Sequence, residues 1–383
     1  MVPGIGIDYT PAWEQGAGIG RYVRELVAAL AREDRDRAWR LFVAGSRKSR
    51  LPKPPGENFH WRPAPFSARS LQRLWFRAHL PLPVETFTGP LTLFHATDFV
   101  LPPVRRGTRT LVQVHDLSFL RVPETSPPAL RSWLEHVVPA SVRRADHVLA
   151  DSSATRDDLL EHYKETPGTR ITVLHGGVDE RFLPEPAGKQ LAARKKYGLD
   201  QWPFIFSVGT LQPRKNHGRL VQALSRLVEG GLDLHLVIAG GAGWLSEPFH
   251  QQLRESEIED RVHLTGFVDD ADLPALYSAA EVFAFPSLYE GFGLPVLEAM
   301  ACGTPVVTSD LSSLPEVAGD AALLTDPLDV EALADALRRL ISDSQLRQQL
   351  IRAGQTRAGQ FTWRRAALQL LDVYRRVGDS PAP

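Results

Sequence analysis

The sequence predicts an α/β protein with parallel sheets. Short apolar runs rich in β-branched residues end in Gly, Asp, Ser or Thr, and an amphipathic stretch follows most of them. This alternation is typical of parallel strands joined by crossover helices. The chain has 383 residues, of which 43% are hydrophobic, enough for two domains of ordinary size.

The first half contains candidate strands at 4–8, 40–44, 91–96, 110–115, 147–150 and 171–174. Helices are predicted at 19–32, where apolar residues recur at helical spacing, and at 128–144. The second half repeats the pattern, with strands at 204–208, 234–239, 262–265, 282–285 and 306–307. Its predicted helices lie at 217–228, 271–279, 294–301, 328–341 and 344–358.

The break between the two halves falls near 180–202, where Pro184, Pro186 and Gly188 interrupt the pattern. We therefore place an N-terminal α/β domain at 1–182 and a second at 183–360. Residues 361–383 form a separate C-terminal helix and tail, because Trp363 and Tyr374 belong to a series of apolar residues at helical spacing.

Composition excludes several classes of protein. Lys and Arg number 44 and Asp and Glu 45, so the chain lacks the bulk basicity typical of nucleic-acid binding. The only cysteine, Cys302, excludes an intramolecular disulfide and any multi-cysteine metal site. The sequence shows neither a signal-peptide pattern nor an apolar run long enough to cross a membrane, so we expect a cytoplasmic protein.

The strongest candidate site is the segment from Glu290 to Glu298, which follows the strand at 282–285. Gly291 and Gly293 allow the backbone to approach a ligand closely, and the N–H groups at the start of the next helix suit a phosphate. Glu298 lies one turn into that helix and can accept hydrogen bonds from a ribose diol. Glu290 can face another polar group of the same ligand. The alternative is a glycine-rich turn with two solvated glutamates.

A second candidate is the loop from Gly209 to Asn216, after the first strand of the second half. Arg214 and Lys215 lie at the carboxyl end of that strand, which is where open α/β sheets bind ligands. Two cations there can neutralise a diphosphate and stabilise the charge of a leaving group. The alternative is a solvated pair of charges.

His115 ends the strand at 110–115, where it could bond to a sugar hydroxyl or transfer a proton. Asp116 could orient His115 or cap a turn. The alternative is a core histidine bonded to backbone. His95 and His175 end other strands and are not excluded by spacing.

The segment from Gly16 to Gly20 precedes a helix and could offer N–H groups to a polar ligand. Its spacing, Gly-x-Gly-x-Gly, and its distance from the first strand differ from a dinucleotide fingerprint. Asp270 and Asp272 look like a metal-binding pair, but they immediately precede a helix, so we expect one of them to cap it.

Residues 58–84 contain no acidic residue. Within them Arg69, Arg73 and Arg77 form one helical stripe, while Leu71 and Trp75 belong to an apolar stripe. A basic amphipathic helix of this kind can lie on an anionic bilayer. The alternative is a surface helix that packs on the domain core and exposes its arginines to solvent.

These motifs, in this order, resemble the retaining GT-B glycosyltransferases of family four. The resemblance covers nearly the whole chain and is most specific from Gly209 to Pro327. Segments 93–98 and 114–118 resemble a subgroup that includes bacterial mannosyltransferases of surface polysaccharides. The resemblance implies two Rossmann-like domains facing across a cleft, with a last helix, at 361–377, that crosses back onto the first domain.

The resemblance also implies roles for individual residues. Arg214 and Lys215 would contact the diphosphate of a nucleotide sugar, Glu298 the ribose and Glu290 the sugar ring. Further donor contacts would come from the other residues of the motifs: Gly18, Gly20, Gly209, Gly291, Phe292, Gly293, Leu294 and His115. The family needs no metal and no cofactor, and nothing in the resemblance involves a nucleic acid.

The predicted reaction is therefore transfer of a hexosyl unit, with mannose from GDP-mannose as the first choice and a UDP-glucose or UDP-galactose donor as the alternative. The acceptor would be a glycan, and the basic stretch suggests a lipid-linked one at the inner membrane face. A nucleotide-dependent oxidoreductase is disfavoured by the spacing of the early glycines. A non-catalytic binder of sugar nucleotides is disfavoured by the paired glutamates.

Overall fold

The computed structural model of the protein describes residues 4–16, 18–47, 50–78 and 80–379. It divides into two compact units. The described residues of Met1–Leu117, Ser132–Gly177 and Trp363–Pro383 form the first unit, and those of Ser118–Arg131 and Val178–Thr362 form the second.

The strands are β1 Gly4–Asp8, β2 Trp39–Ala44, β3 Phe59–Ala64, β4 Leu91–Ala96, β5 Arg109–Val114, β6 His147–Ala150, β7 Ile171–Val173, β8 Phe204–Val208, β9 His235–Ala239, β10 Val262–Gly266, β11 Val282–Phe285, β12 Val306–Ser309 and β13 Leu323–Thr325. The α-helices are α1 Thr10–Glu14, α2 Ile19–Glu33, α3 Ala68–Gln72, α4 Glu85–Thr88, α5 Ser118–Arg121, α6 Pro128–Arg144, α7 Ser153–His162, α8 Ala187–Lys196, α9 His217–Glu229, α10 Glu247–Arg254, α11 Leu273–Ala279, α12 Leu294–Ala301, α13 Leu314–Ala318, α14 Val330–Ser342, α15 Ser344–Ala358 and α16 Trp363–Asp379.

The first unit is a parallel sheet whose strands, within the described residues, lie in the order β3-β2-β1-β4-β5-β6-β7. Its central strands are buried on both faces because helices cover both sides, as the continuous apolar runs of the sequence require. Helix α16 packs in this unit: the Trp363 ring lies 5.2 Å from that of Tyr22, and Tyr374 shares a 2.7 Å hydrogen bond with His95 Nδ1.

The second unit is also a parallel sheet, with the order β10-β9-β8-β11-β12-β13 among the described residues. Phe206, Tyr277 and Phe283 lie at the centre of the core on one face, with Tyr277 5.2 Å from each of the two phenyl rings. The strand order reverses between β8 and β11, so the loops after these two strands leave the same edge of the sheet side by side.

The prediction of parallel α/β structure is confirmed, but it misses two strands. Strand β3 contains Arg62 and Pro63, which are unusual in a strand. The proline is tolerated because β3 is an edge strand that, among the described residues, pairs only with β2. Strand β13 is a three-residue edge strand, too short to show a period.

The observed units differ from the predicted domains at their bounds. The sequence places the junctions at 182/183 and 360/361, and the structure changes unit at 177/178 and 362/363. It also assigns residues 118–131 to the second unit, where Trp244 Nε1 donates a 2.9 Å hydrogen bond to the Thr125 carbonyl. The predicted C-terminal tail at 380–383 lies outside the described residues. Among the described helices, none combines the length and apolar character needed to cross a membrane.

Candidate active site

The loops after β8 and β11 bring three charged side chains together. After β8 the chain forms a short 3-10 turn, Pro213–Lys215, and after β11 it runs through Pro286 to Glu290. The carboxylate of Glu290 lies 2.8 Å from Arg214 Nη1 and 2.6 Å from Lys215 Nζ. All three side chains are largely buried, with at most 15% of each exposed. The structure therefore joins two candidate motifs that are 75 residues apart in sequence.

The electrostatics of this group keep all three residues charged. Burial alone would raise the pKa of Glu290, but Arg214 and Lys215 outweigh it and lower the pKa to about 2. Lys215 Nζ also lies 4.7 Å from the centre of the Phe285 ring, which favours its ammonium form. One carboxylate between two cations leaves a net positive charge at the sheet edge.

Backbone contacts hold the loop after β11 in place. Leu288 N–H donates to the Arg214 carbonyl at 2.9 Å, and Arg214 Nη1 donates to the Tyr289 carbonyl at 2.6 Å. Ser313 Oγ donates to the carbonyls of Glu290 and Phe292 at 2.9 and 2.6 Å. Sequence reasoning missed Ser313, because a serine after an ordinary strand carries no signal of a long-range role.

Helix α12 begins where the sequence predicts, and Gly293 precedes it. Gly293 has a φ of 119°, a conformation that favours glycine. The first N–H groups of a helix have no intrahelical acceptor, so the amides at the start of α12 suit an anion outside the helix. Gly291 and Phe292 form the bend that leads into this start, and the Phe292 ring is buried 5.8 Å from Phe361.

Glu298 is buried inside the second unit, with 4% of its surface exposed. Its Oε2 accepts a 3.0 Å hydrogen bond from the hydroxyl of Tyr277 on α11. Tyr277 therefore fixes one oxygen of the carboxylate and determines how the other can be presented to a ligand. Sequence analysis missed Tyr277, because a tyrosine on the apolar face of a helix is expected to be an ordinary core residue.

Gly209 supports the position of Lys215. A Cβ at Gly209 would lie 3.2 Å from Lys215 Cδ and Cε, so the lysine side chain passes closely over this glycine on its way to Glu290. Gly240 packs directly against the same turn, since a Cβ there would lie 2.0 Å from the Gly209 carbonyl oxygen. Gly209 therefore leaves room for the Lys215 side chain, and Gly240 allows close packing against the Gly209 backbone.

In the first unit, both ring nitrogens of His115 have protein partners. Nδ1 lies 2.7 Å from Asp151 Oδ2, and Nε2 lies 2.8 Å from the Thr97 carbonyl oxygen. Burial alone would lower the pKa of His115, but the Asp151 carboxylate outweighs it and raises the pKa to about 9. The ring is therefore a buried imidazolium, and a sugar hydroxyl could reach it only by replacing one of these bonds.

The carboxylate bonded to His115 Nδ1 is that of Asp151, which follows the adjacent strand β6, so Asp151 takes the orienting role considered for Asp116. This pair carries no local sequence signal, because its two members are 36 residues apart. His95 binds Tyr374 of α16 through Nδ1 and is almost fully buried. His175 is half-buried after β7.

The early glycines have clear structural roles. Gly18 precedes α2 with a φ of 57°, and a Cβ there would meet nothing within 4 Å. A Cβ at Gly20 would lie 2.2 Å from the Gln15 carbonyl oxygen, so Gly20 is required where α2 crosses the end of α1. Arg24 donates to the carbonyls of Ala12 and Gln15 and fixes this turn.

The aspartates before α11 form a surface ion-pair group. Asp272 occupies the N-cap position of α11, but its side chain makes no capping bond, so the predicted cap is wrong. Its carboxylate accepts bonds from Lys196 Nζ and Tyr197 Oη at 2.6 and 3.0 Å, because these donors from the end of α8 compete with the helix amides. Across the described parts of the chain, no cluster of three metal-ligating side chains occurs.

The basic stripe lies on the short helix α3 and the π-helical turn Arg73–Arg77 that follows it. Arg69, Arg73 and Arg77 are exposed, while Leu71 and Trp75 are buried. The single continuous helix implied by the stripe is interrupted, since a π turn is wider than an α turn.

Comparison with known proteins agrees with this fold and these motifs. The family model described as Glycosyl transferases group 1 matches residues 189–357, and the Glycosyltransferase Family 4 model matches residues 16–182. The O-antigen chain mannosyltransferase B of Escherichia coli is 32% identical over 369 residues, which cover 94% of this chain and 96% of that protein.

Solved structures show the same fold at low identity. Sucrose-phosphate synthase from Thermosynechococcus elongatus has a TM-score of 0.76 at 23% identity and covers 98% of both chains. The HepE protein of Anabaena, solved with UDP-glucose, has a TM-score of 0.74 at 20% identity over 97% of this chain and 99% of that one. Since the family models match both halves and a full-length relative is 32% identical, the chain belongs to the family 4 glycosyltransferases of GT-B fold.

Proposed function

We propose that the protein transfers a hexosyl unit, mannose from GDP-mannose, to a hydroxyl of a glycan or lipid-linked glycan, with retention at the anomeric carbon. The observation that carries the proposal is the buried group of Arg214, Lys215 and Glu290 at the point where the strand order of the second sheet reverses. The choice of mannose rests on the Escherichia coli mannosyltransferase that is similar over almost the whole chain.

The donor's diphosphate lies against Arg214 and Lys215 and the amides at the start of α12. Glu290 holds the two cations by ion pairs of 2.8 and 2.6 Å, so they are pre-positioned before the donor arrives. Gly291 and Phe292 place their backbone beside the phosphate or the sugar. The Glu298 carboxylate, which the Tyr277 bond holds in place, receives the ribose hydroxyls.

The reaction breaks the bond between the anomeric carbon and the phosphate oxygen and forms a bond from the acceptor oxygen to that carbon. The acceptor's proton passes to the departing phosphate oxygen, so attack takes place on the face from which the phosphate leaves. Negative charge grows on the diphosphate, where Arg214, Lys215 and the α12 dipole stabilise it. A covalent intermediate on Glu290 is disfavoured, because its carboxylate is already bound by two cations.

We propose that transfer requires no metal or other cofactor. Divalent cations serve similar enzymes by neutralising a diphosphate, and here two side-chain cations are placed to do so. Activity retained in excess EDTA supports this, and activity restored only by added Mg²⁺ or Mn²⁺ contradicts it.

We propose that the protein works in the cytoplasm and meets its acceptor at an anionic membrane surface through Arg69, Arg73 and Arg77. These three side chains are exposed, and Phe66 beside them is 46% exposed. Changing all three to alanine should abolish salt-sensitive binding to anionic vesicles. The matched control removes three exposed arginines of the second unit, Arg226, Arg254 and Arg339. Equal binding by both triple variants contradicts the membrane proposal.

The decisive experiment is a panel of nucleotide sugars, assayed for thermal stabilisation of the protein and for turnover. We expect the largest response with GDP-mannose, and NMR of the product should show the anomeric configuration of the donor. A response to UDP-glucose or UDP-galactose instead would change the donor but keep the mechanism. Stabilisation only by nicotinamide dinucleotides would overturn the proposed function.

A further inference from the structure

A separate cavity of about 350 Å³ lies in the second unit beside α9 and α10. Its walls come from the loop after β8, the first turns of α9 and the start of α10. Arg214, Lys215 and Glu290 are not among its lining residues, although Gln212 and Pro213 of the same loop are. Its volume is at the lower end of the roughly 300–1,000 Å³ typical of small-ligand sites.

Two buried polar side chains in the wall have no hydrogen-bond partner among the described residues. Gln212 is 8% exposed and its Oε1 is unpaired, and His217 is 4% exposed with no bond to either ring nitrogen. The His217 ring contacts Phe249 at 6.1 Å between centroids. Buried polar groups are nearly always paired. Within the described part of the chain, Gln212 Oε1 is enclosed and unpaired and His217 has no hydrogen-bond partner, so the wall offers polar groups to which a ligand can bond.

The chemistry of these two groups selects the ligand. Gln212 Oε1 can only accept a hydrogen bond. Burial and the nearby Lys215 lower the pKa of His217 to about 3, so its ring is neutral and one nitrogen also accepts. A ligand that satisfies both must carry hydrogen-bond donors. Hydroxyl groups do, whereas a fully ionised phosphate offers only acceptors.

Other parts of the wall are apolar. Pro213, Leu245, Pro248 and Phe249 line it, and 45% of Leu245 is exposed. A pyranose ring has hydroxyls at its edge and C–H groups on its faces, so it can bond to amides on one side and pack on apolar carbons on the other. Gln222, Ser246 and Gln252 add further polar side chains to the lining. Arg219 also lines the cavity, and its guanidinium donates a 3.0 Å hydrogen bond to Asn216 Oδ1, so the wall carries a cation whose preference for an anion the experiment must separate from sugar binding.

We propose that this cavity binds one sugar residue of the acceptor glycan, at a position remote from the hydroxyl that is glycosylated. The inference rests on the proposed function, because it takes a glycan as the acceptor. The site would favour longer acceptors over shorter ones. Gln212 precedes Arg214 by two residues, so an occupied cavity also restrains the loop that carries the donor-binding cations.

The test measures binding of unreactive sugars to the full chain by ligand-observed NMR. The probes are methyl α-D-mannopyranoside and a linear mannotriose, in saturating GDP so that the donor site is filled. We expect both to bind, and Gln212→Leu or His217→Phe to weaken binding at least tenfold. Gln251→Leu, on the exposed face of α10, is the matched control and should bind as the wild type does.

If Gln212→Leu or His217→Phe fails to fold, Gln222→Trp is tested in its place. Gln222 is an exposed residue of the cavity wall, and the larger tryptophan side chain would fill the cavity. Probe binding that is absent, or unchanged in these cavity variants, overturns the proposal. Displacement of the sugar by inorganic phosphate at lower concentration would overturn the choice of a neutral ligand. Turnover of nucleotide sugars is measured separately: its absence alongside cavity-dependent sugar binding would contradict the proposed function and leave the binding site supported.

Discussion

Lys215 Nζ lies 2.6 Å from Glu290 Oε1, and this contact joins the loops that follow two neighbouring parallel strands. The same carboxylate lies 2.8 Å from Arg214 through its other oxygen. The Glu290 carboxylate thus offsets the electrostatic repulsion between Arg214 and Lys215 when no donor is bound. In the proposed function, a diphosphate would find the two cations already close together, which reduces the reorganisation that binding requires.

We predict that Glu290→Gln leaves two buried cations without their carboxylate. Breaking a buried ion pair by removing one partner typically costs about 3–5 kcal/mol, and we expect a loss of unfolding free energy in that range. The transfer rate should fall by at least about 100-fold, because the cations lose their positions. Urea unfolding and initial rates measure the two effects.

The control for this variant is Glu281→Gln. Glu281 pairs with Arg347 at 3.0 Å, but its side chain is 39% exposed, so the loss should be below about 1 kcal/mol. Equal stability losses for Glu290→Gln and Glu281→Gln would show that the buried group has no special importance.

We predict that Glu298→Gln weakens binding of the nucleotide by about tenfold, because a neutral amide accepts weaker bonds from ribose hydroxyls than a carboxylate does. Tyr277→Phe is the partner variant. It removes the 3.0 Å bond to Glu298, so we expect a stability loss of about 1 kcal/mol and a smaller loss of affinity. Calorimetric titration with GDP measures both, and wild-type affinity in Glu298→Gln would refute the ribose assignment.

We predict that the first unit loses stability in mild alkali. The pKa of His115 is raised from 6.5 to about 9, so its contribution is complete below pH 6.5 and disappears as the pH rises to about 9. The full effect is on the order of 3 kcal/mol. Asp151→Asn should lower the pKa of His115 and flatten the stability profile across this range, which urea unfolding at successive pH values can measure. An unchanged slope in Asp151→Asn would contradict the ion pair.

We predict acid sensitivity in the second unit from the stacked rings of Trp202, His235 and His263. His235 Nδ1 lies 2.9 Å from His263 Nε2, and burial, with His263 as a further cause, lowers the pKa of His235. A lowered pKa means that stability is complete above pH 6.5 and falls as the pH drops below it. His263→Phe should keep the stack and reduce this loss, whereas the exposed His60→Phe should not. Equal acid profiles for the two variants would rule out the pair.

We predict that Gly240→Ala disrupts the turn beneath Lys215. Its Cβ would lie 2.0 Å from the Gly209 carbonyl oxygen, a backbone atom that cannot move without displacing the loop. We expect a stability loss above about 2 kcal/mol together with reduced donor binding. Gly188→Ala is the control, since a Cβ there meets nothing within 4 Å and alanine favours helix α8. Thermal melts compare them, and similar melting temperatures would show that the turn can adapt.

Much of the fold is predictable from sequence because strands buried on both faces leave continuous apolar runs. Helix α12 is predicted with the observed bounds, since Gly293 and Pro295 mark its start. The one-turn helix α1 and the edge strand β13 are missed, since a few residues cannot display a period.

The candidate site was predictable only as separate motifs. Sequence spacing identifies Glu290, Arg214 and Lys215 as candidates, but their mutual ion pairs arise from the adjacency of β8 and β11. Contacts such as Tyr277 with Glu298, or Asp151 with His115, involve residues far apart in the chain that carry no local signal. Local patterns predict which segments carry chemistry, and tertiary pairing decides which partner each side chain finds.

Helix α16, at the end of the chain, belongs to the same unit as β1, where its Trp363 and Tyr374 contact Tyr22 and His95. During synthesis most of the first unit is made before most of the second, yet the apolar surface that α16 covers stays exposed until this helix leaves the ribosome. The later-made half can close its own core beforehand. The first unit is therefore made first but completes its fold second. A stalled or truncated chain would leave the first unit exposed to chaperones and proteases.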